Sequence, residues 1–343
     1  MALSLGLLIF AFLITSLLVV PFIDLLYRLK FQKPKEKAVK ENKFANPLYF
    51  KFQNGKDKTP TGGGLLIIIA VTVLYFLLFP VLSFLGIYIS SFFPIKDEIN
   101  IIFFTFISFG ILGFYDDLVK FFGLADKGIR GLRMRHKLAL QLLLGFLIAL
   151  MIYQNLKINF VYVPFVGVIQ MGFWYLPFAA FMILAFSNAF NFTDGMDGLA
   201  CGLLVIYLFA FWILSYTMFD TVLSVFIPLW IGALMAFLYF NVYPARIFLG
   251  DVGALSFGAT LAVIGLLSGK IVAVLVVGGI FVFEGFSSLI QLISLHFFNR
   301  RVFPIAPFHL TLKAIGWEEP KIVMRAWLAG IMLAIFGLWL AVI

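Results

Sequence analysis

Apolar positions in this chain do not alternate with polar ones. They continue for roughly 17–25 residues at a time before a charge interrupts them. A helix advancing about 1.5 Å per residue needs a run of that length to cross the hydrocarbon core of a bilayer. Ten such spans are predicted, at about 3–27, 63–88, 99–115, 138–155, 174–190, 198–215, 222–240, 254–268, 271–295 and 322–341. The ninth is interrupted by Glu284, Ser287 and Ser288, which predicts a bend or a wall of a site there. Between Asn159 and Gly172, β-branched and aromatic residues mixed with Pro164 and Gly167 predict a short hairpin. No internal repeat and no second domain are visible. The predicted fold is an all-α polytopic membrane protein, one integral domain over residues 1–343.

Composition strengthens this reading. The chain is 63% hydrophobic and 12% charged, with a mean hydropathy of +1.10. Soluble domains are roughly 45–50% apolar and about 25% charged. The single Cys201 lies in an apolar run, which excludes an intrachain disulfide and a thiolate metal cluster. Met1 to Val20 has neither a basic leader nor a small-residue cleavage site and is expected to stay as the first span.

Charge then orients the spans. The net charge is +9, and of 25 Lys and Arg only Lys96, Lys157 and Lys270 fall on one side, with loops 89–98, 156–173, 216–221, 269–270 and both termini. The others sit in or beside loops 28–62, 116–137, 191–197, 241–253 and 296–321. Positive charge is retained in the cytoplasm, so this second set is expected inside and both termini outside. The lysine-rich loop 28–62 serves as an orientation signal and meets anionic membrane lipids.

Five aspartates fall on the cytoplasmic side by this count: Asp116, Asp117, Asp194, Asp197 and Asp251. Asp116 and Asp117 follow Gly113-Phe114-Tyr115 at the predicted end of the third span. Two adjacent carboxylates repel each other and oppose the helix dipole there, so a solvated helix end explains them less well than a bound cation. Asn188 to Gly198 carries Asn188, Asn191, Asp194 and Asp197 between two spans. Thr193 or Asp194 would serve as an N-cap, which accounts for one acid and not for the set. Asp194 and Asp197 share a face if the turn is helical. In Asn241 to Gly253, Asp251 is either an N-cap or a metal ligand facing a phosphate at a helix N-terminus.

Basic groups accompany them: Lys56 and Lys58 before Thr59-Pro60-Thr61-Gly62-Gly63-Gly64, then Arg133, Arg135, His136 and Lys137, then Arg300, Arg301 and His309. A lone histidine is more often structural than catalytic, and a glycine triplet alone is a weak signal. No Gly-x-x-x-x-Gly-Lys motif is present, which argues against an ATP-driven pump. Acids suited to a divalent cation and bases suited to phosphate fit phosphoryl transfer, where catalysis is mostly positioning and charge neutralisation.

At Thr59-Pro60-Thr61, Asp116-Asp117, Asn188 to Gly198 and Phe248 to Gly253, the chain resembles the polyprenyl-phosphate N-acetylhexosamine-1-phosphate transferases. Gly316 to Lys321 favours the phospho-N-acetylmuramoyl-pentapeptide transferase branch. The resemblance implies a ten-helix bacterial plasma-membrane enzyme of peptidoglycan synthesis, Mg²⁺-dependent and usually a homodimer, with no nucleic-acid partner. The reaction it implies moves phospho-MurNAc-pentapeptide from UDP-MurNAc-pentapeptide to undecaprenyl phosphate and releases UMP. It assigns Mg²⁺ to Asp251, proton abstraction to Asp116 with Asp117 assisting, and phosphate neutralisation to Lys137. Asn191, Asp194, Asp197 and Phe248 would shape the nucleotide pocket, with Lys56 and Thr61 nearby. Asn188, Asn241, Gly250 and His309 complete the implied site.

One departure stands out: the family usually has three consecutive histidines after Ala-Pro-x, and here His309 is followed by Leu310 and Thr311. Three other readings compete with the lipid I-forming one, the first of them also a transferase. A sister enzyme would use UDP-GlcNAc on the same lipid. An ion-coupled transporter would use Glu284, near the middle of its span, although transporter sites lie at the midplane and the five aspartates do not. A non-catalytic scaffold would lose nothing on removal of the carboxylates.

Overall fold

The computed structural model describes residues 2–32, 52, 58–84, 90–122, 132–218 and 220–343. Lys56 lies outside the described residues. The helices are α1 (Ala2–Arg28), α2 (Gly63–Phe84), α3 (Ile95–Phe122), α4 (Met134–Asn155), α5 (Tyr175–Thr193), α6 (Leu199–Thr217), α7 (Thr221–Asn241), α8 (Gly250–Leu267), α9 (Ile271–Val277), α10 (Gly279–Ile293), α11 (Phe308–Ala314) and α12 (Glu319–Val342). Among the described residues, ten helices are long and apolar enough to cross a membrane, and each overlaps one of the ten predicted spans. Helices suit this environment because they satisfy every interior backbone group without water. The predicted hairpin is present: β1 (Phe160–Val163) pairs antiparallel with β2 (Gly167–Gln170), Phe160 opposite Gln170.

The helix that begins the Gly250-Asp251 stretch is the hub. α8 packs against α2, α3 and α5, and 89% of its apolar window is buried. By contrast, α1, α4 and α12 bury 28% each and turn apolar faces outward, as helices bordering lipid do. Polar side chains inside the bundle join neighbours through backbone carbonyls: Ser256 donates to Phe106 O at 2.6 Å, Ser187 to Leu255 O at 3.1 Å and Tyr207 to Leu261 O at 3.0 Å. Such bonds replace the water that hydrocarbon cannot supply.

Four local expectations change. α3 does not stop at Tyr115 but runs to Phe122, so Asp116 and Asp117 lie inside a helix. Asp251 is in the first turn of α8, and Leu249 occupies the cap position without a side-chain cap bond. Asp194 occupies the C-cap position of α5, and Gly198, at φ 78°, precedes α6; the residues between them form turns and not a helix. The ninth span breaks at Gly278 and ends in a π-turn over Ser294–Phe298, while Glu284 sits within unbroken α10. A Cβ at Gly278 would lie 2.9 Å from the Phe186 ring and from Val274 O, so the close packing at the break requires glycine.

Candidate active site

α3 and α8 meet where their carboxylates lie, and glycine makes the meeting close. A Cβ on Gly113 would collide with the carbonyl oxygen of Asp251, and one on Gly64 with the backbone of Gly253. Asp117, 6% exposed, accepts the N–H of Val252 at 3.1 Å and also that of Asp251. These are orphan donors of the first turn of α8. The capping role, one of two readings for Asp251, is therefore supplied across the helix boundary by Asp117, at the positive end of the dipole.

Two lysines bind the other two carboxylates together. Lys137 Nζ lies 2.9 Å from Asp116 Oδ2 and 2.5 Å from Asp251 Oδ2. Lys120 Nζ lies 3.0 Å from the same oxygen of Asp116 and 2.7 Å from that of Asp251. Asp116 Oδ1 accepts the N–H of Leu132 at 2.7 Å. Adjacent acids that would repel each other are thus held by two ammonium groups and backbone donors. Lys120 was not singled out from the sequence, although its signal is simple: it stands four residues after Asp116, one helical turn on.

The glycine-rich segment closes one side of this cluster. Phe248 N–H donates to Pro60 O at 2.8 Å, and Gly63 and Gly64 donate to Phe248 O and Leu249 O at 2.9 Å. Thr61 N–H reaches Phe31 O at 3.0 Å. A Cβ on Gly250, whose φ is +79°, would lie 2.8 Å from Asp117 Oδ2 and from Gly62 N. Thr61, Phe248 and Gly250 therefore belong to one wall beside Asp117.

A second group lies around the Asp194–Asp197 turn. Asp197 Oδ2 accepts the N–H of Ala245 at 3.0 Å, and its own N–H donates to Glu319 Oε1 at 2.9 Å. Glu319 in turn pairs with Lys313 at 2.6 Å. Asn241 fastens the same loop through Ile247 O at 2.9 Å. Asn188 donates to Gln141 Oε1 at 2.9 Å and to Leu184 O at 2.8 Å. Asn191 is half-buried in the last turn of α5, and Asp194 is half-buried at its end. Segment 241–251 joins the two groups, since it bonds to Asp197 at Ala245 and carries Asp251.

His309 is brought to this turn from far along the chain. A Cβ on Gly195 would overlap His309 Nε2. Glu284, offered by sequence as an ion-path residue, holds His309 instead, at 3.2 Å from Nδ1.

Among the described residues, no three His, Cys, Asp or Glu form a ready-made metal cage. The oxygen-only acids at Asp116, Asp117 and Asp251 nevertheless match a hard divalent ion, which Mg²⁺ sites hold through one or two carboxylates and substrate phosphates. Neighbouring ammonium groups suit an anionic substrate.

The Glycosyl transferase family 4 model matches residues 99–269, which include the Asp116–Asp117, Asn188–Gly198 and Asp251 stretches. The chain is 32% identical over 336 residues to the phospho-N-acetylmuramoyl-pentapeptide-transferase of Geobacillus sp. (strain WCH70), covering 97% of this chain and 96% of that one. It is 36% identical over 305 residues to the Aquifex aeolicus (strain VF5) protein of that name, covering 82% and 79%. It is 31% identical over 334 residues to the Bacillus subtilis (strain 168) one, covering 96% and 95%. With its ten apolar helices and its acid–lysine cluster, the chain belongs to the phospho-N-acetylmuramoyl-pentapeptide-transferase family.

Proposed function

We propose that this protein transfers phospho-MurNAc-pentapeptide from UDP-MurNAc-pentapeptide to undecaprenyl phosphate in a bacterial plasma membrane, forming lipid I and UMP for peptidoglycan synthesis. The observation that carries this reading is the cluster in which Lys120 and Lys137 join Asp116 to Asp251, with Asp117 beside them, in a chain of this family. A phosphate oxygen of the acceptor attacks the sugar-proximal phosphorus of the donor, and the diphosphate bond to UMP breaks. Asp116, with Asp117 assisting, takes the proton from the acceptor phosphate. Lys120 and Lys137 neutralise phosphate charge that grows as the bond transfers. Asp251 would hold Mg²⁺, which supplies further neutralisation of the diphosphate when bound.

Asn191, Asp194, Asp197 and Phe248 form the nucleotide side, with Thr61 nearby, and Lys56, outside the described residues, is assigned to it by the family resemblance alone; Asn188, Asn241, Gly250 and His309 complete the site. The site faces the cytoplasm, where the water-soluble donor is found, and both termini face outward. The chain acts as one integral domain and assembles as a homodimer.

The test is release of UMP by the purified protein from undecaprenyl phosphate and each UDP-sugar, with and without Mg²⁺. Release is expected from UDP-MurNAc-pentapeptide, only with Mg²⁺, and is expected to vanish in folded Asp251→Asn. Release from UDP-GlcNAc alone would overturn the donor. Full activity in Asp251→Asn would overturn the metal assignment.

A further inference from the structure

Glu284 is a buried acid in the middle of an apolar helix, and neither the lysine cluster nor the nucleotide-side residues account for it. Its side chain is almost fully buried and aimed at α11. The backbone N–H of His309 donates to Oε1 at 3.1 Å and to Oε2 at 3.3 Å, and Nδ1 of the same residue lies 3.2 Å from Oε2. One carboxylate thus holds both the backbone and the ring of a single histidine. Ser287, one turn further along α10, accepts the N–H of Phe308 at 3.0 Å and donates to Glu284 O at 2.8 Å. Glu284 and Ser287 together occupy the two N–H groups that open α11, a helix whose Pro307 cap residue offers no side-chain bond.

An ionised Glu284 carboxylate only accepts, and beside it the hydrogen belongs on Nδ1. The same constraint leaves Nε2 as the other, uncommitted nitrogen. Nε2 is buried and has no hydrogen-bond partner among the described residues. It points at Gly195, where a side chain would overlap it, inside the turn that carries Asp194 and Asp197. A buried polar atom without a partner is costly, and this one lies against the turn proposed to bind nucleotide.

We propose that Glu284 is a positioning residue for the transfer reaction: it fixes the His309 ring with Nδ1–H directed away, so that Nε2 faces the Asp194–Asp197 turn and engages the nucleotide-sugar donor. This rests on the function proposed above. Second-sphere carboxylates that set a histidine tautomer act in the same way at metal sites. The role also accounts for an acid buried deep in the bundle.

The experiment compares wild type, Glu284→Ala, Glu284→Gln and His309→Asn, each with ¹⁵N-labelled histidine. His309→Asn assigns the ring signals among the three histidines. The wild type is expected to show His309 protonated at Nδ1, and Glu284→Ala to lose that preference. Glu284→Ala is expected to raise the donor KM about tenfold or more with a smaller change in kcat, the pattern of lost substrate binding. Glu284→Gln keeps an oxygen that can accept the Nδ1 hydrogen and is expected to recover most of the donor KM and the tautomer. A wild-type ring protonated at Nε2 alone, or a donor KM unchanged in Glu284→Ala, overturns the proposal. If Glu284→Ala does not fold, Glu284→Gln decides: losing the Nδ1–H tautomer while keeping the wild-type donor KM overturns it. Failure of the wild type to use UDP-MurNAc-pentapeptide would instead overturn the function proposed above, while the ring signals still read the Glu284–His309 pair.

Discussion

Lys120 shows how much a single side chain contributes at this site. Its ammonium lies within 3.0 Å of both Asp116 and Asp251, and Lys137 makes the same two contacts from another helix. Two ammonium groups balance the two acids they bridge, so loss of either lysine leaves a carboxylate uncompensated where a phosphate must approach. Lys120→Met is therefore expected to lower UMP release about 10²-fold, the scale seen when one preorganised donor to a developing anion is lost. Lys120→Arg should recover part of that loss, and melting in detergent should separate catalysis from folding. Wild-type turnover in folded Lys120→Met would remove Lys120 from the site. Lys137 was legible because the family pattern marks it. Lys120 was passed over because, in sequence, it is one more base in a basic loop. Only the continuation of α3 to Phe122 turns it toward Asp116.

At the scale of elements, the meeting of α3 with α8 decides the geometry. It depends on Gly113, where an added Cβ would strike the Asp251 carbonyl oxygen and approach Val252 Cα at 2.7 Å. Both obstacles are backbone, so no rotamer change relieves the clash. Gly113→Ala is expected to cost about 1–3 kcal/mol by overpacking and to displace Asp251 from its lysines. Lower thermal stability together with lost UMP release checks this; an unchanged melting temperature with full activity would mean that the helices part without consequence. The same contact explains which expectations failed. Hydropathy ends a helix at its last apolar residue, so Asp116 and Asp117 were placed past the third span. Their desolvation is offset by lysines and by the N–H groups of α8, and the helix continues through them. Asp251 likewise looked like a cap, and the cap came from Asp117 on another helix.

Over the whole molecule, the charge asymmetry predicts an orientation that thiol labelling can read. Cys201 is buried, so it adds no background in intact cells. Phe165→Cys, at the hairpin tip, is expected to react with a membrane-impermeant reagent from outside, and Arg246→Cys only after the membrane is opened. The reverse pattern would invert the protein and take the site out of reach of a cytoplasmic donor. The spans themselves were legible because a bilayer imposes length and apolarity on every crossing segment, and those are local properties of the chain. The motifs exposed the acids because charge is expensive next to hydrocarbon and persists where it is used. The partners of those acids were decided by tertiary structure alone. Asp116 with Lys137, Asp117 with Val252, Asp197 with Glu319 and His309 with Glu284 are between 21 and 135 residues apart. No local periodicity carries a contact of that range; it follows from which helix faces pack together around α8. Sequence therefore determined the ten spans and the identity of the acids. Packing determined that Asp116, Asp117 and Asp251 meet, because only close approach of separate helices brings them to shared lysines and backbone donors.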